Sequence, residues 1–117
     1  MYLIFFLDST PLIRLFERGL AQLVKICERL DSSIPGGHDY RVVAQHFGFS
    51  HFKITSVFEK DAQGPSYAMI RLLITQKPRL TVKEFALVVE EIAHRQDVSL
   101  LLWKYDSGSD VVQEVDG

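Results

Sequence analysis

The chain has a single cysteine and no long hydrophobic run, and each shortage excludes a class of structure. Because Cys27 stands alone among 117 residues, an internal disulfide and a cysteine-rich metal cluster are excluded. The apolar opening MYLIFFL ends at Asp8 after seven residues, well short of the roughly 20 that span a bilayer. It also lacks the basic leader and cleavage site of a signal peptide. These features favour a reducing, cytoplasmic setting.

The chain also lacks an excess of basic residues. Lys and Arg number 13 against 15 Asp and Glu, for a net charge of -2. A nucleic-acid-binding domain usually concentrates Lys and Arg on one face, so this balance argues against such a partner. With 47% hydrophobic residues, the length suits one compact domain. We expect that domain at residues 10–106, with 1–9 as an extension or the remnant of an upstream domain and 107–117 as a flexible tail.

Apolar residues recur at three- and four-residue steps, which predicts an all-α fold with no strand after residue 8. Thr10 and Pro11 are suited to begin the first helix, Gly48 to end the second, and Thr81 with Glu84 to form a capping box. Asp97 is expected to cap the last helix. The predicted helices number six and cover residues 11–30, 39–47, 50–61, 65–77, 82 onward, and 98–105.

The same periodicity assigns side chains to the core or to water. Leu20 and Val24 are predicted within the buried stripe of the first helix, and Phe52 and Val57 among the apolar positions of the third. The fourth helix should be the most buried, with Arg71 as its one interior charge. On the fifth helix the pattern predicts a buried stripe and a water-facing side; the buried set is Phe85, Val88, Val89 and Ile92, and the water-facing set is Lys83, Glu90, Glu91 and Arg95.

One stretch also matches the spacing of a DNA-binding helix-turn-helix. Ala44, Gly48, Ile54 and Val57 occupy the small, turning and core positions of that motif. Its second helix, however, offers few side chains that reach phosphates or base edges. Residues 50–61 carry as many acidic as basic side chains: Lys53, Glu59, Lys60 and Asp61. A DNA-binding regulator is therefore the weaker alternative.

The residues that usually perform catalysis do not form a recognisable pattern. The four histidines are His38, His46, His51 and His94. His46 and His51 lie on opposite sides of the predicted break at Gly48, and no carboxylate cluster accompanies them. Cys27 falls on a buried stripe, and neither nucleotide-binding glycine fingerprint is present. The sequence predicts no enzyme, no cofactor, no metal and no small-molecule substrate.

Three segments resemble a death domain, the module that binds other death domains. They are ICERLD followed by HDYRVVAQHFGF, then GPSYAMIRLL, then LTVKEFALVVEEIAHRQDVSLLL, and they cover about Leu12 to Tyr105. The segments are most similar to the death domains of netrin receptors, with those of innate-immune adaptors and kinases as near alternatives. The resemblance implies a six-helix antiparallel bundle with death-fold (Greek-key) topology. It also implies a non-enzymatic module for cytoplasmic apoptotic, inflammatory or receptor signalling.

The resemblance further implies three asymmetric contacts with other death-domain proteins or with a second copy of the chain. Such head-to-tail contacts propagate into helical oligomers. The first contact would use Glu17, Arg18 and Arg71, and the second Lys77 and Arg79. The third would use Lys53, Glu59, Lys60 and Asp61, with Asp31 and Asp39 flanking the facing loop. A further alternative, motivated by MYLIFFL, is an intramolecular docking domain that keeps a receptor autoinhibited.

Overall fold

A computed structural model describes residues 10–107, and in this part of the chain every regular element is a helix. The helices are α1 (Arg14–Glu17), α2 (Leu20–Leu30), α3 (Tyr40–His46), α4 (His51–Lys53) continued by a π-helical turn (Ile54–Phe58), α5 (Pro65–Gln76), α6 (Val82–Glu91) and α7 (Gln96–Ser107). The all-α prediction is confirmed. None of the helices in residues 10–107 is long and apolar enough to cross a membrane. The predictions for residues 1–9 and 108–117 lie outside the described residues.

The first predicted helix is wrong as a single element, because it is divided between α1 and α2 at Arg18 and Gly19. Gly19 is buried, and a Cβ at this position would lie 2.6 Å from Cε1 of Tyr105. That separation is too short for two carbon atoms. The break therefore lies where an aromatic ring of α7 packs against the backbone, a long-range contact that local periodicity does not contain.

The predicted helix start at Thr10 and Pro11 is also wrong, because this segment is extended. The Leu12 amide donates to the Leu80 carbonyl at 2.8 Å, and the Val82 amide donates to the Thr10 carbonyl at 2.8 Å. These bonds flank an antiparallel bridge between Pro11 and Thr81. Backbone groups that enter a packed region need partners, and the segment before α6 supplies them.

The predicted helix ends are confirmed where one or two neighbouring residues determine them. Thr81 and Glu84 form both bonds of the capping box at the start of α6. Ser50 accepts a hydrogen bond from the Lys53 amide at the start of α4. Gly48, just after α3, has a φ of +92°, in the left-handed region that favours glycine. Asp97 lies inside α7 rather than before it, because the helix begins at Gln96, two residues before the predicted start at Val98.

The third predicted helix changes its hydrogen-bond pattern after Lys53. The Glu59 amide donates to the Ile54 carbonyl at 3.0 Å, a five-residue step that widens the turn. Ile54 and Phe58 are then buried, whereas Phe52 is 75% exposed and Val57 is 45% exposed. The core position that the helix-turn-helix spacing gives to Val57 is therefore wrong, because the wider turn places Ile54 and Phe58 on the inner face instead.

A core of apolar side chains from all the longer helices holds the bundle together. It includes Leu23, Ile26 and Leu30 of α2, Met69, Ile70 and Leu73 of α5, Phe85 and Val89 of α6, and Val98 and Leu102 of α7. Three assignments to the buried stripes are wrong, because Leu20, Val24 and Ile92 are exposed.

Arg95 is the opposite case, since it was predicted to face water and is only 1% exposed. Its guanidinium donates to the backbone carbonyls of Arg29 (2.7 Å) and His38 (3.0 Å), and also to that of Ser32. These carbonyls lie at the end of α2 and in the loop after it. Helical spacing placed Arg95 on the outer face, but α6 ends at Glu91 and the chain turns inward before Arg95.

Candidate partner-binding surfaces

The residues nominated for the first contact lie around the junction of α1 and α5. Phe16 packs edge-on against Tyr67 with ring centroids 5.2 Å apart, and the Arg71 guanidinium lies 5.5 Å from the centroid of the same Tyr67 ring. Next to Phe16, Glu17 forms a 2.8 Å ion pair with Arg14. Arg18 is exposed. The Tyr67 ring of α5 thus contacts both Arg71 and Phe16, the neighbour of Glu17, which places the first set in one region.

Arg71 is held by internal contacts as well as by the Tyr67 ring. Its guanidinium forms a 2.8 Å ion pair with Asp61 and donates to the Gln63 side chain at 3.4 Å. The bond from the Gln63 amide, and then the Arg71 guanidinium, lower the pKa of the Asp61 carboxyl. Asp61 and Arg71 therefore connect the loop after the π-helical turn to α5, and their charges largely compensate each other.

A second internal cluster joins α3 to the end of the π-helical turn. The Tyr40 hydroxyl donates to Glu59 Oε2 at 2.9 Å, and Arg41 Nε donates to the same oxygen at 3.1 Å. Burial, and then the Glu59 carboxylate, raise the pKa of Tyr40 to about 12. The Tyr40 hydrogen bond lowers the pKa of Glu59. Asp39 caps α3 by accepting from the Arg41 amide at 3.0 Å, so Glu59 and Asp39 both have structural partners.

Asp31 has a structural partner too, although the sequence nominated it for a loop contact. Its Oδ1 accepts a hydrogen bond from the Ser66 amide, in the first turn of α5, at 2.9 Å. A carboxylate at a helix N-terminus satisfies a free amide and interacts favourably with the helix dipole. Asp31 therefore fixes the end of α2 against the start of α5.

Lys53 and Lys60, the two cations nominated for the third contact, lie close in sequence to the exposed apolar side chain of Val57. Lys60 is exposed and Lys53 is half-buried, and within residues 10–107 neither side chain forms an ion pair. Val57 borders a groove of about 260 Å³ between the π-helical turn and α5. With one lysine, Lys53, and no Arg, Asn or Gln on α4 or the π-helical turn, this element is poorly suited to read base edges.

A cleft of about 710 Å³ lies between the end of α3 and the loop that joins α5 to α6. Its apolar side chains are Phe47, Pro78 and Leu80, and its polar ones are His46, Lys77, Arg79 and Glu84. The structure thereby brings together Lys77 and Arg79, the residues nominated for the second contact. Both are exposed, and within residues 10–107 neither side chain forms an ion pair or a hydrogen bond.

No protein-family model, curated protein or solved structure matches the chain.

The sequence did not predict that His46 and Phe47 line the cleft. For the opposite wall, formed by the loop between α5 and α6, the sequence did contain a local signal. Two basic residues flank Pro78, which ends α5 because proline cannot continue a helix. The loop therefore exposes both cations. The end of α3 lies opposite this loop because of tertiary packing, and no local pattern in the sequence predicts that packing.

The corner between α6 and α7 carries negative charge. Glu91 is exposed at the end of α6, and the neighbouring Glu90 carboxylate accepts from Ser99 Oγ at 3.2 Å and Trp103 Nε1 at 3.3 Å. His94 follows with a positive φ of 55°. The molecule therefore presents a basic cleft and an acidic corner on different parts of its surface.

Cys27 is buried, whereas His38 and His94 are exposed side chains whose rings lie near each other. Burial raises the pKa of the Cys27 thiol to about 12, so the thiol is protonated at neutral pH and behaves as a small apolar group. His38 and His94 lie with ring centroids 6.1 Å apart. Among residues 10–107, no three His, Cys, Asp or Glu side chains are grouped as metal ligands.

Proposed function

We propose that this chain is a non-enzymatic death domain that recruits other death-domain proteins, or a second copy of itself, in cytoplasmic signalling. The observation that supports this most directly is the pair of exposed surfaces of opposite charge on one helical bundle. Lys77 and Arg79 lie at the basic cleft, and Glu91 lies at the acidic corner. Because the two surfaces differ, they favour head-to-tail contacts that leave a free surface at each end.

The death-fold (Greek-key) topology is part of the proposal. Taking α1 and α2 as two halves of one helix, and the π-helical turn as a continuation of α4, leaves six helical regions in the order that the resemblance implies. The contacts between helices fit a bundle: α2 packs on α5 and α7, α3 packs on α5 and α6, and α6 packs on α7. Apart from α6 with α7, these pairs join helices that are not consecutive in the chain, which is compatible with a Greek-key arrangement.

The nominated residues divide into two groups by their internal contacts. Those with structural partners shape the surface, and they are Glu17, Asp31, Asp39, Glu59, Asp61 and Arg71. Those without an ion pair in residues 10–107 are the stronger candidates for binding, and they are Arg18, Lys53, Lys60, Lys77 and Arg79. A charge without an internal partner keeps its full interaction available to another molecule.

The proposal is tested by binding of the full chain to an immobilised second copy and to a panel of purified death domains, by biolayer interferometry at low and high salt. We expect binding that weakens as salt rises, because exposed charge pairs are screened. Lys77→Glu with Arg79→Glu should abolish binding through the basic cleft, and Glu91→Lys should abolish binding through the acidic corner. For self-association, a mixture of the two variants should still form pairs, since each retains one intact surface.

A matched charge reversal on a different helix is Lys25→Glu, because Lys25 is exposed on α2 and lies outside all three nominated sets. It should leave the binding unchanged. Failure of every death domain and of the second copy to bind would overturn the recruitment mechanism. Tight, salt-sensitive binding to random duplex DNA would instead favour the helix-turn-helix alternative. Binding confined to a neighbouring domain of the same polypeptide would favour the autoinhibited-receptor alternative.

A further inference from the structure

The cleft between α3 and the α5–α6 loop has the chemistry of a site for an acidic segment with apolar side chains. Phe47, Pro78 and Leu80 supply the apolar surface, and Lys77 and Arg79 supply cations that form no ion pair or hydrogen bond within residues 10–107. An aliphatic anchor gains from burial against such a surface, while carboxylates gain from the cations. The cleft therefore favours a segment in which acidic and aliphatic residues are interleaved.

Among residues 10–107, the one carboxylate that lines the cleft already accepts hydrogen bonds. Glu84 Oε1 accepts from the Thr81 amide at 2.9 Å and from Thr81 Oγ1 at 3.1 Å, at the positive end of the α6 dipole. Counting Lys77, Arg79 and Glu84, the lining side chains within residues 10–107 carry a formal charge of +1. The field in the cleft thus remains attractive to anions.

The segment that follows α7 has the complementary composition. Residues 108–117 read GSDVVQEVDG, with no basic residue and three acidic residues, for a charge of -3. The acidic residues Asp110, Glu114 and Asp116 alternate with aliphatic ones, Val111, Val112 and Val115. We propose that residues 108–117 bind in the cleft of their own chain, with valines on the apolar surface and carboxylates at Lys77 and Arg79.

The end of α7 lies close enough for this contact. Asp106 Oδ1 accepts from the Thr10 amide at 3.2 Å, and the Thr10 segment pairs with Leu80 and Val82. Leu80 itself lines the cleft. One extended segment therefore separates the last turn of α7 from the wall of the cleft, and ten extended residues reach roughly 33 Å.

Attachment to the same chain also favours this occupant over a second copy. A short covalent connection gives an effective concentration in about the millimolar range, so even a weak site is filled by its own segment in dilute solution. The docking does not depend on the proposed function. Its regulatory consequence rests on that function: the segment covers Lys77 and Arg79 and competes with a partner at the second contact.

A spin label in the segment tests the docking directly. Val115→Cys introduces a reactive thiol into the full chain, while the buried Cys27, with its pKa raised to about 12, stays unlabelled. Paramagnetic broadening of backbone amide signals should be strongest at His46, Phe47, Lys77, Arg79 and Leu80. It should be independent of protein concentration and weaken at about 1 M salt, where the Debye length is about 3 Å.

Two variants with the same change in charge give the control. Lys77→Glu with Arg79→Glu should remove the broadening at the cleft, whereas Lys25→Glu with Lys60→Glu should preserve it. Uniform broadening over the surface, or broadening at the cleft that survives the Lys77 and Arg79 reversals, overturns the proposal. Broadening that grows with concentration and vanishes on mixing labelled with excess unlabelled chain assigns the cleft to a second copy, and also overturns it.

Binding of partner proteins is measured separately, so the two proposals fail in different ways. With Asp110→Asn, Glu114→Gln and Asp116→Asn, the docking proposal expects the broadening to be lost. The regulatory consequence expects stronger partner binding by the same variant. Loss of broadening with no binding to any death domain would retain the docking and reject the proposed function.

Discussion

Arg95 and Asp97 form a two-point ion pair in which Nε lies 3.0 Å from Oδ1 and Nη2 lies 3.0 Å from Oδ2. The remaining guanidinium hydrogens go to backbone carbonyls at the end of α2 and in the loop before α3, including that of His38. A single side chain thereby joins three segments of the chain. Its burial is accompanied by hydrogen bonds throughout, which is the condition under which a charge is tolerated inside a protein.

Replacing Arg95 should therefore cause a large loss of stability. Arg95→Met leaves three carbonyls and one carboxylate without their donor, and we expect the free energy of unfolding to fall by about 3 kcal/mol. Urea denaturation followed by circular dichroism measures this change. Arg79→Met is the matched control, because Arg79 is exposed and its loss should cost less than about 0.5 kcal/mol. Equal effects at the two positions would contradict the structural role of Arg95.

The same ion pair should make stability depend on acid pH. The Arg95 guanidinium holds the pKa of Asp97 below its ordinary value, so the folded state binds that proton less readily than the unfolded state. The stabilisation is present above the unfolded pKa near 3.9 and is lost as the pH falls through the folded pKa. Asp97→Asn should lower stability at pH 7 and flatten the decline below about pH 4.

Urea midpoints measured between pH 7 and pH 2 show whether this dependence exists. Glu28→Gln is a suitable control, since Glu28 is exposed on α2, and it should leave the acid decline in place. An unchanged slope in Asp97→Asn would mean that the ion pair adds little to the folded state.

The features that the sequence predicted correctly depend on neighbours a few residues away. The capping box of Thr81 and Glu84 is one example, and the left-handed Gly48 is another. Each needs only local geometry. The break at Gly19 and the burial of Arg95 depend instead on groups more than 50 residues away in the chain, Tyr105 and His38. The cleft was predicted only in part for the same reason. Lys77 and Arg79 are close in sequence and share a loop, whereas His46 reaches the cleft only through the packing of α3.

Gly64 and Gly48 both have a positive φ, but an added side chain would be crowded only at Gly64. Gly64 has a φ of 100° and a ψ of 158°, a region that is essentially restricted to glycine. A Cβ there would lie 3.0 Å from Asp31 Oδ2, whereas one at Gly48 would meet no atom within 4 Å. Gly64→Ala should also disturb the bond from Asp31 to the Ser66 amide.

We therefore expect Gly64→Ala to lower the free energy of unfolding by about 2–3 kcal/mol and Gly48→Ala by about 1–2 kcal/mol. Thermal and urea denaturation of the two variants, compared with the parent chain, measure the difference. If Gly48→Ala proved the more damaging, the contact between residue 64 and Asp31 would not be the deciding factor.

Lys60 and Arg71 separate a binding role from a structural one, because their surroundings differ. Lys60 is exposed and has no ion pair within residues 10–107, whereas Arg71 pairs with Asp61 at 2.8 Å and stacks on Tyr67. Lys60→Glu should weaken binding to death domains and leave the urea midpoint unchanged. Arg71→Glu should weaken binding and also lower stability by about 1 kcal/mol, since it places two carboxylates side by side and removes the cation over the ring.

Exchanging the two charges of the internal pair distinguishes these contributions. In Asp61→Arg with Arg71→Asp the ion pair can re-form, so stability should recover at least in part, while the sign of the charge presented to a partner is reversed at both positions. Binding should then remain weak although the fold is restored. If the exchanged variant bound death domains as well as the parent chain does, Arg71 would act only by holding Asp61, and the first contact would have to rely on Glu17 and Arg18.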